Sequence, residues 1–80
     1  MSKDELWCKV QESTYLTNCQ VYDMIPLIRN NFREWGTYRG RISEEIVVKL
    51  NVPRNFANDI YDKINSILNV AKSNGVREIY

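Results

Sequence analysis

The chain has 80 residues, 44% hydrophobic and 26% charged, with 11 Lys and Arg against 10 Asp and Glu, a net charge of +1. That length fits one domain, residues 1–80, and so short a chain buries only about 60 to 65% of the surface its unfolded form exposes, so a partner subunit adds stability. No apolar run approaches the roughly 20 residues needed to cross a bilayer, and MSKDELWCKVQ has no stretch suited to a secretion signal, so a cytoplasmic protein without membrane contact is expected.

Near the N-terminus, Leu6, Cys8 and Val10 alternate with Trp7, Lys9 and Gln11, the pattern of a half-buried strand. Ser2 with Glu5 also matches a capping box, so a short helix competes for the same residues. Cys8 and Cys19 are the only cysteines and there is no histidine. A tetrahedral metal site is therefore not expected, and the thiols read as unpaired and partly buried.

Thr17 and Gln20 form a second capping box, with Leu16 and Val21 at the positions of a hydrophobic staple, so a helix should begin near Asn18. Val21, Ile25, Ile28, Phe32 and Trp35 recur at spacings of four and three on one face, and Gly36 supplies a stop. Pro26 lies inside this run. A bend there keeps the capping box, whereas a start at Asp23 would discard it.

Charge is uneven along the chain. Residues 1–28 sum to −2, residues 42–80 to zero, and RNNFREWGTYRGR to +3. Guanidinium and aromatic groups mixed in this way suit phosphate contact and stacking, although the helical spacing of Phe32 and Trp35 favours a core role for those two.

Residues 36–40 read as a loop, with Ser43 as the N-cap of a helix over Glu44–Leu50, where Glu44 and Glu45 favour the positive end of the helix dipole. Asn51 tolerates the left-handed conformation of a sharp turn, and Pro53 suits the first turn of the next helix. Ala57, Ile60, Ile64, Ile67, Leu68 and Ala71 then continue one apolar face to about Ser73, a helix approaching 30 Å at 1.5 Å per residue. Such length needs packing against the N-terminal region or a second subunit. Asn74 and Gly75 close the helix, and the alternation in VREIY suggests a strand pairing with the N-terminal one.

The 23 residues ISEEIVVKLNVPRNFANDIYDKI, Ile42 to Ile64, resemble the helix-turn-helix of bacterial and phage transcription regulators. Ile46, Leu50, Val52, Ala57 and Ile60 occupy its inner positions and Asn51 its turn. The fold expected is thus mainly α: a three-helix helix-turn-helix core, winged-helix-like if the termini supply a small two-stranded sheet. The resemblance implies sequence-selective binding of double-stranded DNA by a small regulator, with the second motif helix in the major groove. Arg54, Asn55 and Asn58 are the candidates for reading base edges; Arg39, Arg41, Ser43 and Lys49, with Tyr38 as a weaker candidate, are those for holding phosphates. A homodimer on a palindromic or directly repeated site is the expected working form.

The chain departs from the pattern in places. Val47 stands where a small residue is usual and Asn51 where glycine is commoner. Asp59 puts a carboxylate on the reading face, and Lys72 and Arg77 are the only cations near the C-terminal turn. The competing reading is a small helical protein of phage or plasmid origin that binds or inhibits a protein partner through Trp7, Tyr38, Phe56 or Tyr61. Enzymatic function is not expected, because no neutral-pH base, phosphate loop or nucleophile signature is present, and no cofactor is implied.

Overall fold

In the computed structural model, residues 3–77 are described, Lys3 by its backbone alone, and they form four helices: α1 (Lys3–Thr14), α2 (Asn18–Asn30), α3 (Arg39–Leu50) and α4 (Arg54–Ser73). The mainly α class is as expected, with one helix more than the three-helix core and no strand among the described residues. α4 is the spine. At 20 residues it extends about 30 Å along a molecule whose longest dimension is 32 Å, and it packs against both α3 and α1, while α2 bridges α1 and α3.

The N-terminal strand is replaced by a helix for a clear reason. Leu6 and Val10 are buried, and a spacing of four satisfies a period of 3.6 as readily as a period of two. Cys8 decides between them: the strand reading turns it inward with Leu6 and Val10, and in the helix it is exposed. Thr14 extends the same buried face, donating its hydroxyl to the Val10 carbonyl at 2.6 Å. With α1 helical, the sheet between the termini loses one of its strands, and most of the other, Glu78 to Tyr80, lies outside the described residues, as does Ser2 of the competing capping box. Both cysteines are free as expected, but exposed rather than partly buried.

α2 starts as its capping box dictates. Thr17 accepts from the Gln20 amide at 3.2 Å and the Gln20 side chain accepts from the Thr17 amide at 2.9 Å, with Leu16 and Val21 both buried beside them. Pro26 sits within the helix, which runs on to Asn30. The regular helix stops five residues before Trp35, where the Asn31 side-chain amide donates to the Leu27 carbonyl at 2.9 Å and a series of turns takes over. Those turns carry Phe32 and Trp35 onto α4. Met24 and Leu27, outside the five-residue stripe read from spacing, are buried too and widen the face.

The link between α2 and α3 is bonded to α4 at several points. The Trp35 ring stacks on Tyr61 with centroids 5.1 Å apart and planes 12° from parallel. Its indole N–H donates to the Tyr61 carbonyl at 3.2 Å, the Gly36 amide donates to the Tyr61 hydroxyl, and the Lys72 ammonium donates to the Trp35 carbonyl at 3.4 Å. Gly36 has φ +99, and a Cβ there would stand 3.0 Å from the Asn65 side-chain oxygen. Gly75 has a similar φ of +88 but open space around it. Gly36→Ala is therefore expected to cost more than the roughly 1 to 2 kcal/mol of left-handed strain alone, and Gly75→Ala about that amount. Thermal unfolding of the two variants checks this, and equal losses would show that the Asn65 contact has no weight.

Candidate nucleic-acid interface

The bend at residue 51 is formed. Asn51 adopts the left-handed conformation at φ 53 and ψ 52, and Pro53 is extended at φ −63 and ψ 157. Pro53 serves as the N-cap of α4 rather than its first helical residue, and its carbonyl accepts the first helical bond, from the Ala57 amide at 2.9 Å. Ile46, Ala57 and Ile60 are buried between the two helices, with Leu50 and Val52 packed at the edge and Val47 half-buried. The first turn of α4 consequently faces outward: Arg54 and Asn55 are exposed and Asn58 is half-exposed.

Each exposed arginine of the candidate set has an acidic partner. Arg54 reaches Glu44 on α3 at 3.0 Å, not Asp59 or Asp62 on its own helix. Asp59 instead pairs with Lys63 one turn on, at 3.2 Å. Arg39, at the start of α3, holds Asp62 with two parallel hydrogen bonds of 2.9 Å. Arg54, Asn58 and Asp62 follow at four-residue intervals along one stripe of α4, so Arg54 and the Asp62 that holds Arg39 lie on either side of Asn58, about 12 Å of helix apart. Arg41 is held elsewhere, by Glu34 at 2.7 Å and Asn31 at 3.3 Å, with its guanidinium 4.8 Å from the centre of the Tyr38 ring. Lys49 is exposed in the last turn of α3.

Ser43 does not cap α3 and cannot reach a phosphate. The helix begins a full turn earlier, when the Tyr38 carbonyl accepts from the Ile42 amide at 3.0 Å, and Ser43 lies inside it with 0% exposure and no partner for its hydroxyl. The cause is Ile42, wholly buried one turn before Ile46, which carries the apolar face upstream past the expected cap. Gly40 thus falls within the helix rather than in a loop. Of the aromatic anchors in the competing reading, Tyr61 is 1% exposed and unavailable, Trp7 is half-buried, and Tyr38 and Phe56 are exposed.

The Arg39 hydrogen bonds hold the Asp62 carboxyl below the usual carboxylate range; burial pushes the other way by less, and the Arg39 charge adds the smallest contribution, also downward. A carboxyl whose folded value lies below its unfolded one stabilises the fold above the unfolded value, about pH 3.9, and loses that contribution as pH falls through the folded value. Asp62→Asn is expected to narrow its Tm difference from the parent progressively below about pH 4. A difference that stays constant on acidification would leave the pair without a pH-linked role. Both groups are more than half exposed, so the effect is small.

The ion-pair partners that the sequence does not reveal are Glu44 for Arg54 and Asp62 for Arg39, each on another helix from its arginine. No local spacing announces such pairs. Among the described residues, no group of three His, Cys, Asp or Glu is placed to hold a metal ion, and no helix is long and apolar enough to cross a membrane. No family model, curated protein or solved structure matches the chain.

Proposed function

We propose that the protein is a sequence-selective double-stranded DNA-binding regulator of the helix-turn-helix type, with the first turns of α4 as the reading element. The observation that carries this reading is the left-handed bend at Asn51, which leaves Arg54, Asn55 and Asn58 projecting from the start of a long helix whose opposite face is core. Side chains of these types match base edges: arginine binds the acceptors of guanine with both arms, and asparagine binds adenine with both amide atoms. In this scheme Arg39 and Lys49 contact phosphates on either side, Arg41 does so only after leaving Glu34, and Ser43 drops out. Arg54 and Arg39 exchange Glu44 and Asp62 for the nucleic acid, a replacement that exposed pairs permit at little cost. A symmetric dimer on a repeated site supplies the contact area that one short helix lacks. No catalytic step is part of the proposal.

A specific observation favours the second reading, a protein-binding module. The cations near the bend are largely neutralised within the chain, and Val48 and Phe56, on either side of it, leave 82% and 43% of their surfaces exposed. Titration of the folded protein with random and genomic duplexes at two salt concentrations separates the two. DNA binding predicts affinity that falls steeply with added salt and differs between sequences. No detectable duplex binding at low salt, with helical content intact, transfers the function to a protein partner.

A further inference from the structure

The outer surface of α1 and α2 carries a cleft that no residue of α3 or α4 lines. Trp7 from α1 faces Tyr22, Ile25, Pro26 and Arg29 from α2 across about 310 Å³. That is the lower end of the roughly 300 to 1,000 Å³ typical of small-ligand sites, room for one or two side chains rather than a large cofactor. The apolar and aromatic walls are accessible: Tyr22 is 75% exposed, Trp7 and Ile25 are half-buried and Pro26 is exposed.

Two polar groups give the cleft a direction. Pro26 has no N–H, so the Tyr22 carbonyl lacks the donor that position i+4 of a helix supplies. Arg29 makes no ion pair or side-chain hydrogen bond among the described residues, unlike Arg39, Arg41 and Arg54, and neither Asp4 nor Asp23 lines the cleft to neutralise it. Tyr22, Pro26 and Arg29, spaced four and three apart, share one face and span about 10 Å along the helix. Three residues of extended chain cover the same distance, at about 3.3 Å each.

We propose that this cleft docks an extended acidic peptide segment of a partner protein. An aromatic or proline side chain lies between Trp7 and Tyr22, a peptide N–H donates to the Tyr22 carbonyl, and an Asp or Glu two or three residues away pairs with the Arg29 guanidinium. Aromatic grooves of this kind suit rigid, ring-bearing side chains, and a planar guanidinium suits a carboxylate. The site is independent of the DNA reading, because it shares no residue with the bend or with α4.

Panning random 12-residue peptides displayed on phage against the whole protein tests this. The expected result is enrichment of Phe, Tyr, Trp or Pro with Asp or Glu two or three positions away. A synthetic peptide with Phe-Pro flanked by aspartates should bind, shift the Trp7 indole N–H signal in NMR spectra, and lose affinity when lysines replace the aspartates. Tyr22→Ala and Arg29→Glu, at exposed positions and checked for helical content, should each weaken it about tenfold, and Arg29→Glu should turn the panning preference toward Lys and Arg. The proposal is overturned if no peptide is enriched, if enriched peptides lack the acidic residue, or if Arg29→Glu leaves the preference unchanged.

Discussion

Trp35→Ala is expected to lower stability by about 3 to 5 kcal/mol, which for a domain of this size moves Tm down by roughly 12 to 40 °C. Trp35 is 2% exposed and closes the core from a segment outside any regular helix. Removing its ring leaves a cavity against Tyr61 and forfeits a stack of about 0.5 to 1.5 kcal/mol. The indole hydrogen bond goes with it, and the Gly36 amide and Lys72 ammonium lose the geometry that holds them to α4. A chain of 80 residues holds only about 4 to 12 kcal/mol in all, so the variant should lie near the edge of folding. Trp35→Phe keeps most of the ring and loses the N–H, and should cost nearer 1 kcal/mol plus its smaller volume. Calorimetry on the pair checks the argument. A Trp35→Ala protein melting within a few degrees of the parent would mean that the 31–37 segment lies on the core without closing it.

The second large effect concerns DNA. Arg54→Ala should weaken binding to a preferred duplex by about 1 to 3 kcal/mol, roughly 5- to 150-fold, and relax the preference at one base pair. Glu44→Gln should move affinity the other way, by about 0.5 to 1 kcal/mol, because on the proposed reading the carboxylate that holds Arg54 at 3.0 Å would compete with the base and repel nearby phosphates. Neither change should alter folding by more than about 0.5 kcal/mol, since both side chains are exposed. Opposite signs from the two ends of one ion pair are hard to obtain from a surface that does not touch DNA. Affinities that do not respond to either substitution would remove α4 as the reading helix.

The dimer expected on DNA is a separate matter from the fold. The long apolar face of α4 calls for cover, and α1 and α3 supply it within one chain, burying Ala57, Ile60, Ile64, Leu68 and Ala71. A second copy is therefore not required to complete the core, and the case for it rests on the DNA contact alone.

Much of the fold was legible because it is written in local chemistry. The capping box at Thr17 and Gln20, the left-handed Asn51, and the apolar period of α4 each involve residues within a few positions of one another, and each formed as expected. The exposed first turn of α4 follows from the same periodicity. Where the local signal fits two periods, as with Leu6 and Val10, or where a good capping residue lies inside an apolar stripe, as with Ser43, composition alone picks the wrong structure, because burial against another helix outweighs a cap or an alternation.

What the sequence determined by itself was the set of helices from residue 18 onward, the start of α2, the close of α4 and the bend between the last two, since hydrophobic period and capping act over one or two turns. Only the tertiary structure decided that the N-terminal segment is helical, that Trp35 lies on Tyr61, that Ser43 is interior, and that Arg54 and Arg39 face Glu44 and Asp62. Those outcomes depend on which surfaces meet across separations that run from 10 positions between Glu44 and Arg54, through 26 between Trp35 and Tyr61, to longer ones between α1 and α4, and packing between distant segments leaves no periodic trace in the residues that take part.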